Sequence, residues 1–343
     1  MPDSAAGAFS RREIESQPAV WRTVVTHMHM LQTQLQALWR DGAYEQVLVT
    51  GCGSPYYAAL SVAAHLRECG VNTLAQPASE IWLNARSAFL PRRTLLIALS
   101  RSGATTEVLR ACEAFKARGV GEVLTISCYP DAPLARVGRM NVLLEAAQED
   151  SFAQTRAFTS LFLAGWACAQ IWSGQGDALA DVGAVLSDAC RRTLSAYAGL
   201  TQSLANDASI ERLYFLGSGP RHGLACELSL KMKEMSISDS EPFHFLEFRH
   251  GPQTMAGPNS LVVGLVSSSA RAQELAVLDD MRAFGAQTLA IGAGGDANDA
   301  DFAAPGGDAL FVVVGQQLAL ARALRKNLNP DRPHNLNAVV QLK

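Results

Sequence analysis

Two glycine turns, Gly51-Cys52-Gly53-Ser54 and Gly217-Ser218-Gly219-Pro220, stand 166 residues apart, and much of what surrounds them returns at nearly the same spacing. Each follows a short apolar run, Gln46–Thr50 or Leu213–Leu216, and each leads into a helical pattern. A second pair of turns obeys the same offset. Ser100 and Ser102 match Ser267 and Ser269 at 167, as Glu107 matches Glu274, and Gly119 and Gly285 close the following helices at 166. A chain that repeats strand, glycine turn and helix in this order is expected to fold as two copies of one doubly wound α/β domain with a parallel sheet.

The remaining segments fill in around that plan. Residues 9–40 carry apolar positions at helical spacing, with Ser10 and Glu13 placed as a capping box and Gln17-Pro18 as an interruption. The first copy reads as strand 46–50, helix to Arg67, a short strand near Val71–Ala75, a helix start at Ser79-Glu80, an apolar strand run Leu95–Leu99 that stops at Ser100, helix 104–118, and strands Glu122–Ser127 and Asn141–Leu144. Residues 152–204 read as mostly helical, with breaks near Ser173-Gly174 and Asp207. The second copy reads as helix 221–236, a helix-like segment Pro242–His250, strand Leu261–Val266, helix 270–284, strands Gln287–Ile291 and Ala309–Val314, and a helix to about Lys326. The expected division is an N-terminal helical segment 1–45, domains 46–205 and 206–330, and a tail 331–343.

Composition removes several function classes. Net charge is −3 with no basic block, which argues against nucleic acid, and no apolar stretch has the length of a membrane span. MPDSAAGAFS lacks the basic start and apolar core of a secretory signal. The seven cysteines form no C-x-x-C pair, and His27 and His29 point to different faces of a helix. The expectation is scattered buried thiols in a reducing cytoplasm, with no metal and no cofactor.

Three constellations carry chemistry. The turns 51–55 and 100–106 gather Gly53, Ser54, Ser100, Ser102 and Thr105 beyond the ends of two strands. Short hydroxyls at helix N-termini either cap those helices or hold an anion, and two such turns in one half favour the anion. A dinucleotide site would need a third glycine, where Tyr56 stands. Next, Glu227, Lys231 and Glu234 are spaced four and three and share a helical face, beside an apolar face of Leu224, Leu228, Met232 and Met235. From spacing alone, a solvated stripe of charge is the simpler reading. Last, Glu247-Phe248-Arg249-His250-Gly251-Pro252 places a histidine at what reads as a helix C-terminus, where the dipole favours its protonated form.

With these residues in view, the sequence resembles the sugar isomerase (SIS) domain family, in tandem and over nearly the whole chain. SRSGATTE resembles the family's S-x-S-G-x-T phosphate turn. LGSGPRHGLACELSLKMKEMS followed by EFRHGP resembles the isomerase half of glucosamine-6-phosphate synthase, without the synthase's N-terminal glutaminase domain. REIESQPAVW, SFAQTRAFTS and NPDRPHNLNAVVQ look most like the tagatose-6-phosphate ketose/aldose isomerase branch, associated with amino-sugar phosphate deamination.

The resemblance implies that Ser100, Arg101, Ser102 and Thr105 hold a sugar phosphate with Gly53 and Ser54 nearby, and that Gln154, Lys231, Asn337 and Ala338 line the sugar. It implies that Glu234 shuttles a proton and His250 helps open the ring from the other subunit of a homodimer, with the tail over the active site. Two departures stand out. Pro55 replaces a serine of the synthase pattern, and Ala338 stands where the synthase has its imine-forming lysine. A Schiff base cannot form there, which keeps the resemblance in the tagatose isomerase branch.

The expected chemistry is aldose–ketose isomerisation, with deamination if C2 bears an amine. One carboxylate moves a proton between adjacent carbons, and burial of Glu234 against Leu228, Leu230 and Met235 is expected to raise its pKa. The alternatives are a fructosamine-6-phosphate deglycase and, in another class, a sugar-phosphate sensor without catalysis.

Overall fold

The computed structural model describes residues 5–295 and 301–342. The chain divides into two compact units. One takes Ala19–Glu149, Arg156–Val185 and Asn337–Lys343; the other takes Met1–Pro18, Asp150–Thr155 and Leu186–Leu336.

Three helices open the chain: α1 Ala8–Glu15, α2 Gln17–Met30 and α3 Gln32–Gly42. The break at Gln17-Pro18 is present, and Pro18 sits in the first turn of α2, where its missing N–H costs nothing. A second break falls at Leu31. The capping box is not formed. Gly7, at φ 77°, is the N-cap, and Ser10 lies inside α1, where its buried hydroxyl donates to Asp331 at 2.7 Å. Glu13, read as the other half of that box, is also fully buried.

The first unit holds a parallel sheet of β1 Gln46–Gly51, β2 Thr73–Pro77, β3 Thr94–Ser100, β4 Gly121–Ser127 and β5 Met140–Leu143, in the order β2-β1-β3-β4-β5. Helices α4 Ser54–Glu68, α5 Ala78–Leu83, α6 Ala85–Ala88, α7 Thr106–Ala117 and α8 Arg156–Trp172 accompany it. β1 and β3 are buried at every position, as expected of strands covered on both faces. Gly165 of α8 packs so closely on Val62 of α4 that a Cβ would overlap it. Trp21 donates to Thr159 at 2.9 Å, which fixes α2 against α8.

The second unit follows α9, Leu179–Asn206, whose residues from Leu186 on belong to it. It holds β6 Arg212–Gly217, α10 Pro220–Ser236, β7 Asp239–Phe243, β8 Ser260–Val266, α11 Arg271–Ala283, β9 Gln287–Gly292 and α12 Asp308–Arg325. The strands are parallel in the order β7-β6-β8-β9, so the first four strands of each sheet are arranged alike. Phe245 and Phe248 join Leu216, Val262, Val277 and Met281 in its core.

Two sequence readings are corrected here. Ala309–Val314 is not a strand but the start of α12, buried on all sides. A buried apolar run of six has the same pattern in a strand and in a buried helix. The helix wins because the pattern extends to Arg325 and Gly315 lets α12 close on Leu228 of α10. Pro242–His250 is not helical either: Asp239–Phe243 is a strand paired to β6, followed by a single 3-10 turn, Glu247–Arg249. β7 is an edge strand, where Pro242 lacks a donor without breaking the sheet.

Candidate active site

In the first unit, the glycine turn after β1 starts α4. Gly53 has φ 58° and ψ −127°, a conformation open to glycine alone, and its counterpart Gly219 before α10 has φ 56° and ψ −130°. Ser54 is the first residue of α4 and is buried. At the end of β3, Ser100 accepts the Gly103 N–H at 3.1 Å, and Ser102 accepts the Ala104 N–H at 3.2 Å and lies 3.4 Å from the Thr105 hydroxyl. Gly103 has φ 63°, and a Cβ there would come within 2.8 Å of Ala132. Accepting these bonds uses lone pairs and leaves hydroxyl hydrogens to donate. Thr105 is the N-cap of α7 and makes no side-chain cap bond, so its hydroxyl is not spent on the helix. The turn therefore directs hydroxyls toward a helix N-terminus, a geometry that suits an oxyanion.

Arg101 is 6% exposed. Its Nη2 donates to the Ala338 carbonyl at 2.7 Å, and its Nη1 lies 3.4 Å from Glu149. The Glu149 side chain is wholly buried and also accepts the Ala157 N–H at 3.0 Å. The tail continues across the start of α7, where the Thr106 N–H meets Val340 O at 3.4 Å and Leu342 N–H donates to the Thr106 hydroxyl at 3.1 Å. Asn337 and Ala338 thus lie on the segment that Arg101 pins, and Asn337 is exposed.

In the second unit, α10 carries Glu227, Lys231 and Glu234. The solvated-stripe reading is overturned: the Glu227 and Lys231 side chains have no exposure, and only Glu234, at 17%, reaches solvent. The Lys231 ammonium contacts the Glu234 carboxylate and lies 3.4 Å from Glu227. The Glu234 carboxylate thus meets an ammonium. Lys231 is engaged by both carboxylates.

His250 follows the 3-10 turn Glu247–Arg249 and is exposed; its N–H donates to Glu247 O at 3.0 Å. The helix C-terminus expected beside it is absent, and a turn of three residues supplies no macrodipole of consequence. Gln154 lies in the same unit, on a segment tied down by Glu13, which accepts the Asp150 N–H at 2.6 Å, the Ser151 N–H at 3.1 Å and the Ser151 hydroxyl. The Gln154 Oε1 is buried without a partner.

Sequence reasoning passed over Glu149 and misread Glu13. Glu13 sits among the charged Arg11, Arg12 and Glu15, and Glu149 between Gln148 and Asp150, so nothing in the local sequence sets either apart. All seven cysteines are free, and burial raises the thiols of Cys52, Cys112, Cys168 and Cys226 to about 12. Among the described residues, no group of three or more His, Cys, Asp or Glu is arranged to hold a metal ion, and no helix is long and apolar enough to cross a membrane.

Comparison with known proteins gives a consistent set of relatives. Residues 44–171 match the SIS domain family. A Streptomyces coelicolor protein, AgaS, named for a proposed D-galactosamine-6-phosphate deaminase activity, is 30% identical over 387 residues, covering 99% of this chain and 96% of that protein. The glutamine–fructose-6-phosphate aminotransferase of Sulfurisphaera tokodaii is 27% identical over 98% of this chain, which spans 56% of the aminotransferase's length. Among solved structures, Escherichia coli tagatose-6-phosphate ketose/aldose isomerase superposes with TM-score 0.83 at 22% identity, covering 100% of this chain and 98% of that one. Thermotoga maritima glucosamine-6-phosphate deaminase gives 0.80 at 24%, covering 98% and 100%. At these identities the two structures establish a shared fold.

Proposed function

This chain belongs to the SIS domain family of sugar-phosphate isomerases and deaminases, and from that premise we propose that it is a deaminating isomerase of a 2-amino-2-deoxyhexose 6-phosphate, glucosamine- or galactosamine-6-phosphate. The turn at Ser100–Thr105 takes the phosphate, with Gly53 and Ser54 beside it and Arg101 holding the tail. Binding energy spent on the phosphate orients carbons that it does not touch. Gln154, Asn337 and Ala338 contact the sugar. His250 protonates the ring oxygen as the hemiacetal opens to the aldehyde. Glu234 takes the proton from C2 and returns it to C1, while the amine gives up a proton and O1 gains one, leaving a C2 imine beside a C1 hydroxyl. Water adds to the imine, and ammonia departs from the ketose 6-phosphate. The reading includes a cytoplasmic homodimer in which His250 serves the neighbouring subunit's sugar.

The observation that carries the proposal is on α10. In a face of three charged groups, two are sealed in the interior and one carboxylate, Glu234, opens to solvent with a fixed ammonium beside it. Lys231 is buried for orientation and charge balance, a costly arrangement that a purely structural helix has no need of. The resemblance brings no imine-forming lysine, since Ala338 occupies that place, so the carboxylate does the proton work without a Schiff base.

The test is a screen of hexose, hexosamine and fructosamine 6-phosphates with ammonia and ketose read together. Equal ammonia and ketose from a hexosamine 6-phosphate supports the proposal. Hexose 6-phosphate and a free amine from a fructosamine 6-phosphate would establish the deglycase instead. Binding by calorimetry with no turnover would establish the sensor.

A further inference from the structure

His222 and His244 stack face to face, with ring centroids 3.7 Å apart and planes 15° from parallel. His222 lies in the first turn of α10, on the helix that carries Glu234 twelve residues later. His244 is the first residue after β7 and opens the segment that ends at His250. The backbone links the two ends of that segment. Phe248 N–H donates to His244 O at 3.0 Å, and His250 N–H donates to Glu247 O at 3.0 Å. Phe245 and Phe248 are sunk in the core beneath, and Arg249 donates to Asp280 of α11 at 2.8 Å. These anchors fix the segment to the sheet and to α11; the imidazole stack fixes it to α10.

We propose that the His222–His244 stack is a positioning device for His250, clamping the segment 244–250 onto the start of the helix that bears Glu234. The inference rests on the proton-transfer roles given to those two residues under the proposed function. Neither stacked ring is a catalytic residue; each acts through the backbone that joins it to the site.

The surroundings favour uncharged rings. Cys226, one turn along α10, places its Sγ 3.7 Å from His222 Nε2. The backbone of Phe243 in β7, at His222, and the carboxylate of Glu247, at His244, favour the charged rings, but burial outweighs both. Burial first, and then His244, lowers the His222 pKa to about 4, and burial lowers that of His244 as well. The stack is therefore neutral near pH 7 and is opposed by protonation of both rings at acid pH.

The test compares His222→Leu, which removes the flat ring, with His222→Phe, which restores one. Amide hydrogen exchange at Phe248 and His250 is read first, because it does not depend on any substrate. The stack predicts exchange about tenfold faster in His222→Leu, with most of the protection regained in His222→Phe. In the deamination assay, His222→Leu should lower kcat about tenfold with KM within about twofold, and His222→Phe should recover kcat. If His222→Leu fails to fold, His244→Leu removes the same contact from the exposed side. Native exchange rates at both amides in a folded Leu variant would overturn the proposal. Accelerated exchange in a protein that turns over no sugar phosphate would keep the clamp and reject the reaction.

Discussion

Lys231 and Glu234 are three residues apart on α10 and their charged groups meet, although the lysine side chain has no exposure and the carboxylate has 17%. Lys231→Met would remove the cation that meets Glu227 and Glu234 in the interior, and breaking a buried pair by removing one partner costs about 3–5 kcal/mol. Urea unfolding should show a loss of that size, and a loss below about 1 kcal/mol would contradict the buried pair.

Glu13 makes a different kind of anchor. It has no exposure and receives the Asp150 and Ser151 backbone donors, so it orders the segment that carries Gln154. Glu13→Ala takes a charged acceptor from both backbone donors, at about 3 kcal/mol for hydrogen bonds to a charged group. Thermal unfolding should register the loss, and KM for the sugar phosphate should rise as Gln154 loses its support. A drop in stability with KM unchanged would separate the anchor from the substrate.

Arg101 links the phosphate turn to the tail through Ala338. Arg101→Ala should release residues 337–342 while leaving β3 and α7 intact. Amide exchange at Thr106 and Leu342, which are bonded to the tail and to the turn respectively, should accelerate at least tenfold, with native rates in the core of the first sheet. Unchanged exchange at both would show that the arginine does not hold the tail.

His222 gives the molecule an acid limb of definite sign. Its pKa falls from 6.5 to about 4 in the fold, chiefly through burial and then through His244. Between those values the unfolded chain binds the proton and the native ring does not, so stability rises with pH across this window. It is fully present above about pH 6.5 and is lost as pH falls through about 4. In His222→Phe that part of the slope should vanish from unfolding curves taken at pH 4 to 7.

The turns were the most legible part of the sequence, because glycine and serine mark them by local stereochemistry. Gly53, Gly103 and Gly219 sit where only glycine fits the backbone, and the parallel order of the strands followed from the βαβ alternation between them. Burial decided what was missed. Ala309–Val314 has the composition of a strand and is a helix because α10 accepts it at Gly315. β7 was hidden by Pro242, which an edge strand tolerates and an interior one does not. For the candidate site, spacing placed Glu227, Lys231 and Glu234 on one face, yet no pattern along α10 says which way that face turns. Glu13 is tied to Asp150 and Glu149 to Arg101, each more than forty residues away in sequence.

The measurement that bears most directly on the account is ammonia release from glucosamine- and galactosamine-6-phosphate by the native chain and by Glu234→Gln, with binding of the same sugar followed by calorimetry. The account predicts ammonia and ketose in equal amounts from the native protein. It predicts no detectable turnover from Glu234→Gln, with substrate affinity within about fivefold of native, since the variant keeps the phosphate turn and loses the proton carrier. Undiminished ammonia release by Glu234→Gln would contradict it.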